Sequence, residues 1–189
     1  MAADRAMLLT HGAGTDASHP SLVRIEEELA PIDVERMDFP YRKAGRTGPP
    51  DRAPKLVAAV REGAAELAER TGLASDRLVL GGRSMGGRMC SMAIAEGLPA
   101  LGLVVIAYPL HPPGKPEKLR IEHLPAVGVP TLAISGTRDP FGTPEELEHH
   151  LSAIAGPLTL HLLDGKRHDL KGADDEIARL IADWVASLG

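Results

Sequence analysis

Short apolar runs alternate with longer amphipathic stretches along this chain. That alternation predicts a parallel sheet wrapped by helices, because each apolar strand and each helical stripe must bury its face against a neighbouring layer. The strand candidates are Ala6–Thr10, Val34–Phe39, Leu78–Leu80, Gly102–Tyr108, Thr131–Ser135 and Leu158–Leu163. The helix candidates are Ser21–Leu29, Pro54–Arg70, Met85–Glu96, Pro144–Ile154 and Asp174–Leu188. The predicted fold class is therefore α/β, in three layers with about six mostly parallel strands.

Two of the strands differ enough to be placed within the sheet. Gly102–Tyr108 reads GLVVIAY, a continuous apolar run typical of a strand buried on both faces. Val34–Phe39 reads VERMDF, in which charges alternate with apolar residues. Such a pattern suits an edge strand that is protected against further pairing. We therefore expect the first strand at the centre and the second at an edge.

Bulk properties limit the function classes. A chain of 189 residues, 43% of them hydrophobic, is long enough for one domain over residues 1–189. The net charge of -5 argues against nucleic-acid binding. The single cysteine excludes an internal disulfide and a multi-cysteine zinc site. No signal-peptide or membrane-spanning pattern is evident, so we expect a cytoplasmic monomer or homodimer without a membrane or nucleic-acid partner.

The segments after the strands hold most of the unusual residues. In open α/β sheets, ligands bind beyond the carboxyl ends of the strands. One of these segments, within LVLGGRSMGGRMC (Leu78–Cys90), sets four glycines around one serine. Such a turn could hold a phosphate or present a nucleophile.

Two nucleotide-binding interpretations fit poorly. A phosphate loop needs two glycines separated by four residues, followed by Lys and then by Ser or Thr. Gly81 and Gly86 have this spacing, but Gly87 and Arg88 follow where Lys and Ser/Thr are needed. Gly12 to Ala17 matches a dinucleotide fingerprint, but Ser18-His19-Pro20 delays the helix that should begin inside that motif. The phosphate-loop interpretation therefore fails, and the dinucleotide one lacks its structural context.

A nucleophile elbow fits better. Gly82-Arg83-Ser84-Met85-Gly86 is G-x-S-x-G between a predicted strand and a predicted helix. The sharp turn requires small residues two positions on either side of Ser84. An activated serine needs a base and an orienting acid, which follow it in the order acid, then histidine, in enzymes with this elbow. Asp139 and His168 follow the last two predicted strands in that order.

Several simpler interpretations stay open at this point. Ser84 could be an ordinary helix N-cap, since serine is favoured there. Asp164 and Asp169 compete with Asp139 as the acid. His11 is more plausibly a support for the HGAG turn than a reactive group.

The segments LLTHGAG, GGRSMGG, SGTRDPFG and KRHDL resemble the functional segments of the α/β-hydrolase superfamily, in particular its small, capless, dienelactone-hydrolase-like members. The resemblance implies a fold that lacks the first two strands and a cap domain. It also implies an oxyanion hole from the N–H groups of Ala13 and Met85, with no metal or organic cofactor. Dienelactone hydrolases use a cysteine where this chain has Ser84, which argues for another substrate.

The expected reaction is cleavage of a small ester or thioester by Ser84, Asp139 and His168. The loops on the predicted catalytic face are basic, which would attract an anionic substrate, unless they are simply charged surface. Arg83, Arg138 and His111 are the candidate substrate-binding residues. The proline-rich segment from His111 to Pro130 is the only candidate lid, and it is too short for a cap domain.

Two other function classes remain. The chain is also similar to a subunit of a eukaryotic histone-acetyltransferase complex, which suggests a non-catalytic interaction module. A peptidase or an acyltransferase would share the acyl-enzyme step, and the sequence does not separate the possible acceptors.

Overall fold

The computed structural model describes residues 4–189. Its strands are β1 (Ala6–Thr10), β2 (Asp33–Met37), β3 (Leu78–Arg83), β4 (Gly102–Ile106), β5 (Thr131–Gly136) and β6 (Leu158–Leu163). Its α-helices are α1 (Pro20–Leu29), α2 (Pro40–Lys43), α3 (Ala53–Thr71), α4 (Met85–Ala95), α5 (Pro144–Leu151) and α6 (Asp174–Ser187). Short 3-10 turns cover Ser75–Arg77 and Leu124–Ala126.

The six strands form one sheet in the order β2-β1-β3-β4-β5-β6, and every neighbouring pair is parallel. The predicted α/β class is thus confirmed, with a sheet that is wholly parallel. Strands β1, β3, β4 and β5 are buried throughout, whereas β2 and β6 are partly exposed. The predicted edge position of β2 and central position of β4 are both confirmed.

The core lies in two layers, one on each face of the sheet. Alternate residues of each strand point to opposite faces. In β1, Leu8 belongs to the cluster that packs against α3, α4 and α5, while Met7 and Leu9 belong to the cluster that packs against α1 and α6. The helices are therefore shared between the two faces, as a three-layer fold requires.

Several predicted boundaries are corrected. Strand β3 continues through Gly81 and Gly82 to Arg83 instead of ending at Leu80. Strand β4 ends at Ile106, two residues early, because Ala107 takes a φ of 54°. Strand β2 runs from Asp33 to Met37, because its partner β1 ends at Thr10, opposite Met37.

The helix predictions need smaller corrections. Helix α5 stops at Leu151, short of the predicted Ile154, while α4 ends one residue early at Ala95. The four-residue helix α2 was not predicted, because an element this short has no periodicity to recognise.

Within residues 4–189 there is no cap domain, in agreement with the sequence. The segment from residue 111 to residue 130 packs against the layer that contains α4, with Leu124 and Val127 buried. No helix in the described part of the chain has the length and apolar character needed to cross a membrane.

The topology fixes where a site should lie. The chain moves from β1 outward to β2 and then returns to β3 on the other side of β1. Ligands of open α/β sheets bind at such a reversal, beyond the carboxyl ends of the strands. Here that place lies between the residues that follow Thr10 and those that follow Arg83.

Candidate active site

Ser84 occupies a strained turn between β3 and α4. Its backbone has a φ of 47° and a ψ of -114°, in the region that non-glycine residues rarely adopt. It precedes the first helical residue, but its side chain makes no capping hydrogen bond. The Oγ atom instead lies 2.9 Å from Nε2 of His168. The side chain is therefore presented to a histidine, which the N-cap interpretation does not explain.

Glycines flank this turn because β1 passes directly beside it. A Cβ on Gly82 would overlap the side chain and carbonyl of Thr10. A Cβ on Gly86 would also overlap Thr10 and would lie 2.6 Å from the His11 carbonyl oxygen. The small residues of the motif are thus required by close contact with a neighbouring strand as well as by the turn itself.

His168 and Asp139 complete a hydrogen-bonded chain that begins at Ser84. The Asp139 Oδ2 atom lies 2.8 Å from Nδ1 of His168. This arrangement assigns the Nδ1–H as the donor to the carboxylate and leaves Nε2 to accept from the Ser84 hydroxyl. The loops after β3, β5 and β6 therefore bring the three residues together from positions 84, 139 and 168.

The Asp139 carboxylate is held on both oxygens. Oδ1 accepts a hydrogen bond from the Phe141 backbone N–H at 2.8 Å, and only 1% of the side chain is exposed. His168 is 23% exposed, and its ring stacks on the Phe141 ring with centroids 4.0 Å apart. Sequence reasoning missed Phe141, since a lone aromatic residue after an acid carries no motif.

The two rival acids bond elsewhere. Asp164 accepts from the Thr137 hydroxyl at 3.2 Å, and Asp169 accepts from the Lys171 backbone N–H at 3.3 Å. Both residues are exposed. Within the described residues, Asp139 is the only acidic residue that contacts the His168 ring by a hydrogen bond.

The turn after β1 presents a backbone N–H group. The Gly12 carbonyl accepts hydrogen bonds from His11 Nδ1 at 2.7 Å and from the Thr15 backbone at 3.2 Å. Because the N–H of a trans peptide points away from its C=O, the Ala13 N–H points away from these groups. Within residues 4–189, neither the Ala13 N–H nor the Met85 N–H donates a hydrogen bond.

His11 supports this turn, as the sequence predicted. The ring is buried, and its Nε2 accepts the Phe39 backbone N–H at 3.2 Å. Burial lowers the pKa of His11, so the ring stays neutral and can donate at one nitrogen while it accepts at the other. Tyr41 adds a hydrogen bond from its hydroxyl to the Ala13 carbonyl at 2.9 Å. Nothing in the sequence indicated these roles for Phe39, which lies just before α2, or for Tyr41, which lies in α2; both residues stabilise the turn by hydrogen bonds.

These groups share one cavity of about 720 Å³. Its wall includes Ala13, Ser84, Met85 and His168. A volume of this size is typical of a small-molecule site.

The three candidate substrate-binding residues take different positions. Arg83 lines the cavity but is buried, and its guanidinium donates to the Ser21 hydroxyl at 3.1 Å and to the Asp169 carbonyl at 2.7 Å. Arg138 is exposed and lies outside the cavity wall. His111 is buried beside Glu146, with Nε2 3.2 Å from the carboxylate, and is also absent from the wall.

Comparison with known families assigns the chain. The model of the α/β hydrolase domain family matches residues 3–180. The chain belongs to the α/β-hydrolase family. The strained elbow and the order Ser84, Asp139, His168 agree with this assignment, which supports hydrolase activity in general terms.

Solved α/β hydrolases share the fold over nearly the whole chain. Dienelactone hydrolase from Anabaena variabilis matches with a TM-score of 0.76 and 21% identity, over 97% of this chain and 87% of that one. A hydrolase of the α/β superfamily from Xanthomonas campestris matches with a TM-score of 0.73 and 20% identity, over 97% and 99%. An α/β serine hydrolase homologue from Coxiella burnetii matches with a TM-score of 0.73 and 16% identity, over 94% and 84%. At these identities the likeness concerns the fold alone.

Proposed function

We propose that this α/β hydrolase is a serine hydrolase that cleaves a small ester or thioester through an acyl-enzyme. One observation carries the proposal. The hydrogen-bonded chain from Ser84 through His168 to Asp139 opens into a cavity that is also lined by Ala13 and Met85, whose backbone N–H groups have no hydrogen-bond partner within residues 4–189. The size of that cavity supports a small substrate.

The first half of the reaction would form the acyl-enzyme. The Ser84 Oγ attacks the carbonyl carbon of the substrate while His168 Nε2 takes the hydroxyl proton. Asp139, held by the Phe141 N–H, keeps the Nδ1–H of His168 in place and stabilises the imidazolium. When the carbon–oxygen or carbon–sulfur bond breaks, the imidazolium returns its proton to the leaving alcohol or thiol.

The N–H groups of Met85 and Ala13 would stabilise the tetrahedral oxyanion. In related reactions, each such donor lowers the activation barrier by on the order of 3 kcal/mol. The Gly12 carbonyl is fixed by His11 and Thr15, so the Ala13 N–H needs little reorganisation before it can donate.

The second half would release the acyl group. A water molecule gives a proton to His168 Nε2 as its oxygen attacks the acyl carbon of the ester on Ser84. Collapse of the second tetrahedral intermediate breaks the bond to Oγ, and His168 returns the proton to Ser84. The products are a carboxylic acid and the free enzyme, with atoms and charge balanced.

The decisive experiment is labelling with a fluorophosphonate probe followed by peptide mass spectrometry. Such probes react with a serine that a base and an oxyanion hole activate. We expect an adduct on Ser84 that disappears in Ser84→Ala and His168→Ala.

Ser91 offers a matched control. Its Oγ also lies 2.7 Å from a histidine nitrogen, Nε2 of His123, but the residue is fully buried and outside the cavity wall. The Ser91→Ala variant should keep the label. A folded wild-type protein that takes no label would contradict the proposal and favour the interaction-module alternative.

A further inference from the structure

Eleven of the fifteen arginines fall into two groups. Seven outer arginines form ion pairs with carboxylates: Arg5, Arg24, Arg36, Arg46, Arg61, Arg70 and Arg77. Four others line the cavity that contains Ser84: Arg83, Arg88, Arg120 and Arg167. Within residues 4–189, none of these four forms an ion pair, although all four line the same cavity.

Two of the four are accounted for by their surroundings. The Arg83 guanidinium binds the Ser21 hydroxyl and the Asp169 carbonyl, so it links α1 to the His168 loop. Arg167 is exposed, where water can solvate its charge. Neither residue needs a ligand to explain it.

Arg88 and Arg120 are different. Arg88 lies one turn after Ser84 on α4, where its backbone N–H donates to the Ser84 carbonyl at 3.1 Å. Its Nε is buried and has no hydrogen-bond partner in the described chain. Within the described residues, the Arg120 guanidinium donates one hydrogen bond, from Nη1 to the Pro109 carbonyl at 3.3 Å. Each guanidinium carries five N–H donors, and buried donors are normally satisfied.

The two charges also act on each other. Burial and the nearby Arg88 charge both lower the pKa of Arg120. Burial and the same Arg88 charge lower the pKa of His123 to about 4. The His123 imidazole is therefore neutral near pH 7 and does not compensate the charge of either arginine. Glu122, the nearest acid in sequence, is exposed and pairs with neither arginine within residues 4–189. Two partly desolvated cations that line one cavity and repel each other favour an anion in that cavity.

We infer that Arg88 and Arg120 form an anion subsite that binds a carboxylate or phosphate group of the substrate. The inference rests on the proposed function and narrows its substrate class to acidic esters or thioesters. Both oxyanions accept paired N–H bonds from a guanidinium, which a lysine ammonium does not reproduce. This subsite replaces the diffuse basic mouth expected from the loops, since Arg42 binds the Thr15 carbonyl and Arg46 pairs with Asp51.

The first arm of the test compares 4-nitrophenyl hemiglutarate with its methyl-capped ester. We expect Arg88→Gln and Arg120→Gln to reduce kcat/KM for the acid by roughly 10- to 100-fold each, the effect of losing a hydrogen bond to a charged group. The capped ester should change by less than about 3-fold, since it lacks the charge. Arg179→Gln is the matched control, because Arg179 is an exposed arginine on α6 without an ion pair in the described chain, and it should change neither rate.

The second arm separates the two anions. S-butyryl-pantetheine is compared with its 4′-phosphate, and a preference for the phosphorylated form that both arginine variants abolish identifies phosphate as the group bound. A preference confined to the hemiglutarate identifies carboxylate. Equal kcat/KM for charged and capped partners in both arms overturns the inference, as does an equal loss on both partners in the variants.

Two further measurements distinguish failure of the anion subsite from failure of the proposed hydrolase activity. Fluorophosphonate labelling of Ser84 in Arg88→Gln shows that the reactive groups stay intact, so a lost preference belongs to the subsite. If wild type takes no label, the Ser84→Ala variant is titrated by calorimetry with hemiglutarate and with the capped ester. Tighter binding of the acid, lost in Ser84→Ala/Arg88→Gln, would support the subsite although the hydrolase proposal fails. Equal binding would overturn both.

Discussion

The side of the site that carries the proposed nucleophile and the side that carries the proposed acid and base are held in place by different means. At the ends of β1 and β3, backbone packs on backbone, and Gly82 and Gly86 leave no space for a side chain beside Thr10. At the ends of β5 and β6, the positions of Asp139 and His168 depend on side-chain contacts, namely two hydrogen bonds to the Asp139 carboxylate and a Phe141 ring stacked on His168. Substitutions on the first side should therefore damage folding, and those on the second should damage chemistry.

Asp139→Asn should give the largest effect and show the chemical side alone. The amide keeps an oxygen for the Phe141 N–H but offers an N–H to His168 Nδ1, which forces the wrong tautomer. Nε2 then carries the proton and no longer accepts from Ser84. We expect kcat for 4-nitrophenyl acetate to fall by about 10⁴-fold, with little change in the thermal unfolding midpoint.

The matched control is Asp164→Asn, which alters an exposed carboxylate bonded to Thr137. It should leave kcat within about 3-fold, the scale of a weak surface hydrogen bond. A loss of less than 10-fold in Asp139→Asn, or a larger loss in Asp164→Asn, would move the role of the acid away from Asp139.

Gly86→Ala should show the opposite pattern. The new methyl group would overlap Thr10 and approach the His11 carbonyl, which belong to a fully buried strand end that has no space to move. We expect a loss of about 3 kcal/mol in the free energy of unfolding, the range of an overpacked core, measured by guanidinium denaturation.

Gly128→Ala serves as the comparison, because nothing lies within 4 Å of the position of its Cβ. Its stability should change by less than about 0.5 kcal/mol, as for other surface substitutions. If Gly86→Ala were as stable as Gly128→Ala, the turn would not be fixed by contact with β1.

The same contrast explains what the sequence revealed. Close backbone contact leaves a glycine pattern, so the elbow around Ser84 could be recognised, and chain order then pointed to Asp139 and His168. The sheet was predictable because buried parallel strands read as apolar runs, and β2 at the edge read as alternation. The ends of the strands were harder to predict. Strand β4, for example, stops where Ala107 takes a positive φ, and nothing in the sequence marks that residue.

Contacts between distant segments left no such pattern. Arg88 lies in an amphipathic helix and Arg120 in an irregular segment, and only the packing of that segment beside α4 brings both to one cavity. The loops on the predicted catalytic face contain nine basic residues: Arg42, Lys43, Arg46, Arg83, Lys115, Lys118, Arg138, Lys166 and Arg167. Of these nine, only Arg83 and Arg167 line the cavity. The loops are basic in sequence, but the direction of each side chain decides which charges can meet a ligand, and residue type does not encode that direction.

Tyr41→Phe should give the smallest effect and test a side chain on the backbone-held side. The ring stays buried, but the hydrogen bond from its hydroxyl to the Ala13 carbonyl is lost. Burial raises the pKa of Tyr41, so the phenol remains a donor throughout the neutral range. One neutral hydrogen bond contributes about 1 kcal/mol, so its loss should reduce kcat by roughly 5-fold. KM should stay the same, because the Ala13 N–H would stabilise the oxyanion of the transition state and not the bound ester. An unchanged kcat would mean that His11 and Thr15 alone orient the turn, and that the nucleophile side needs no side chain from α2.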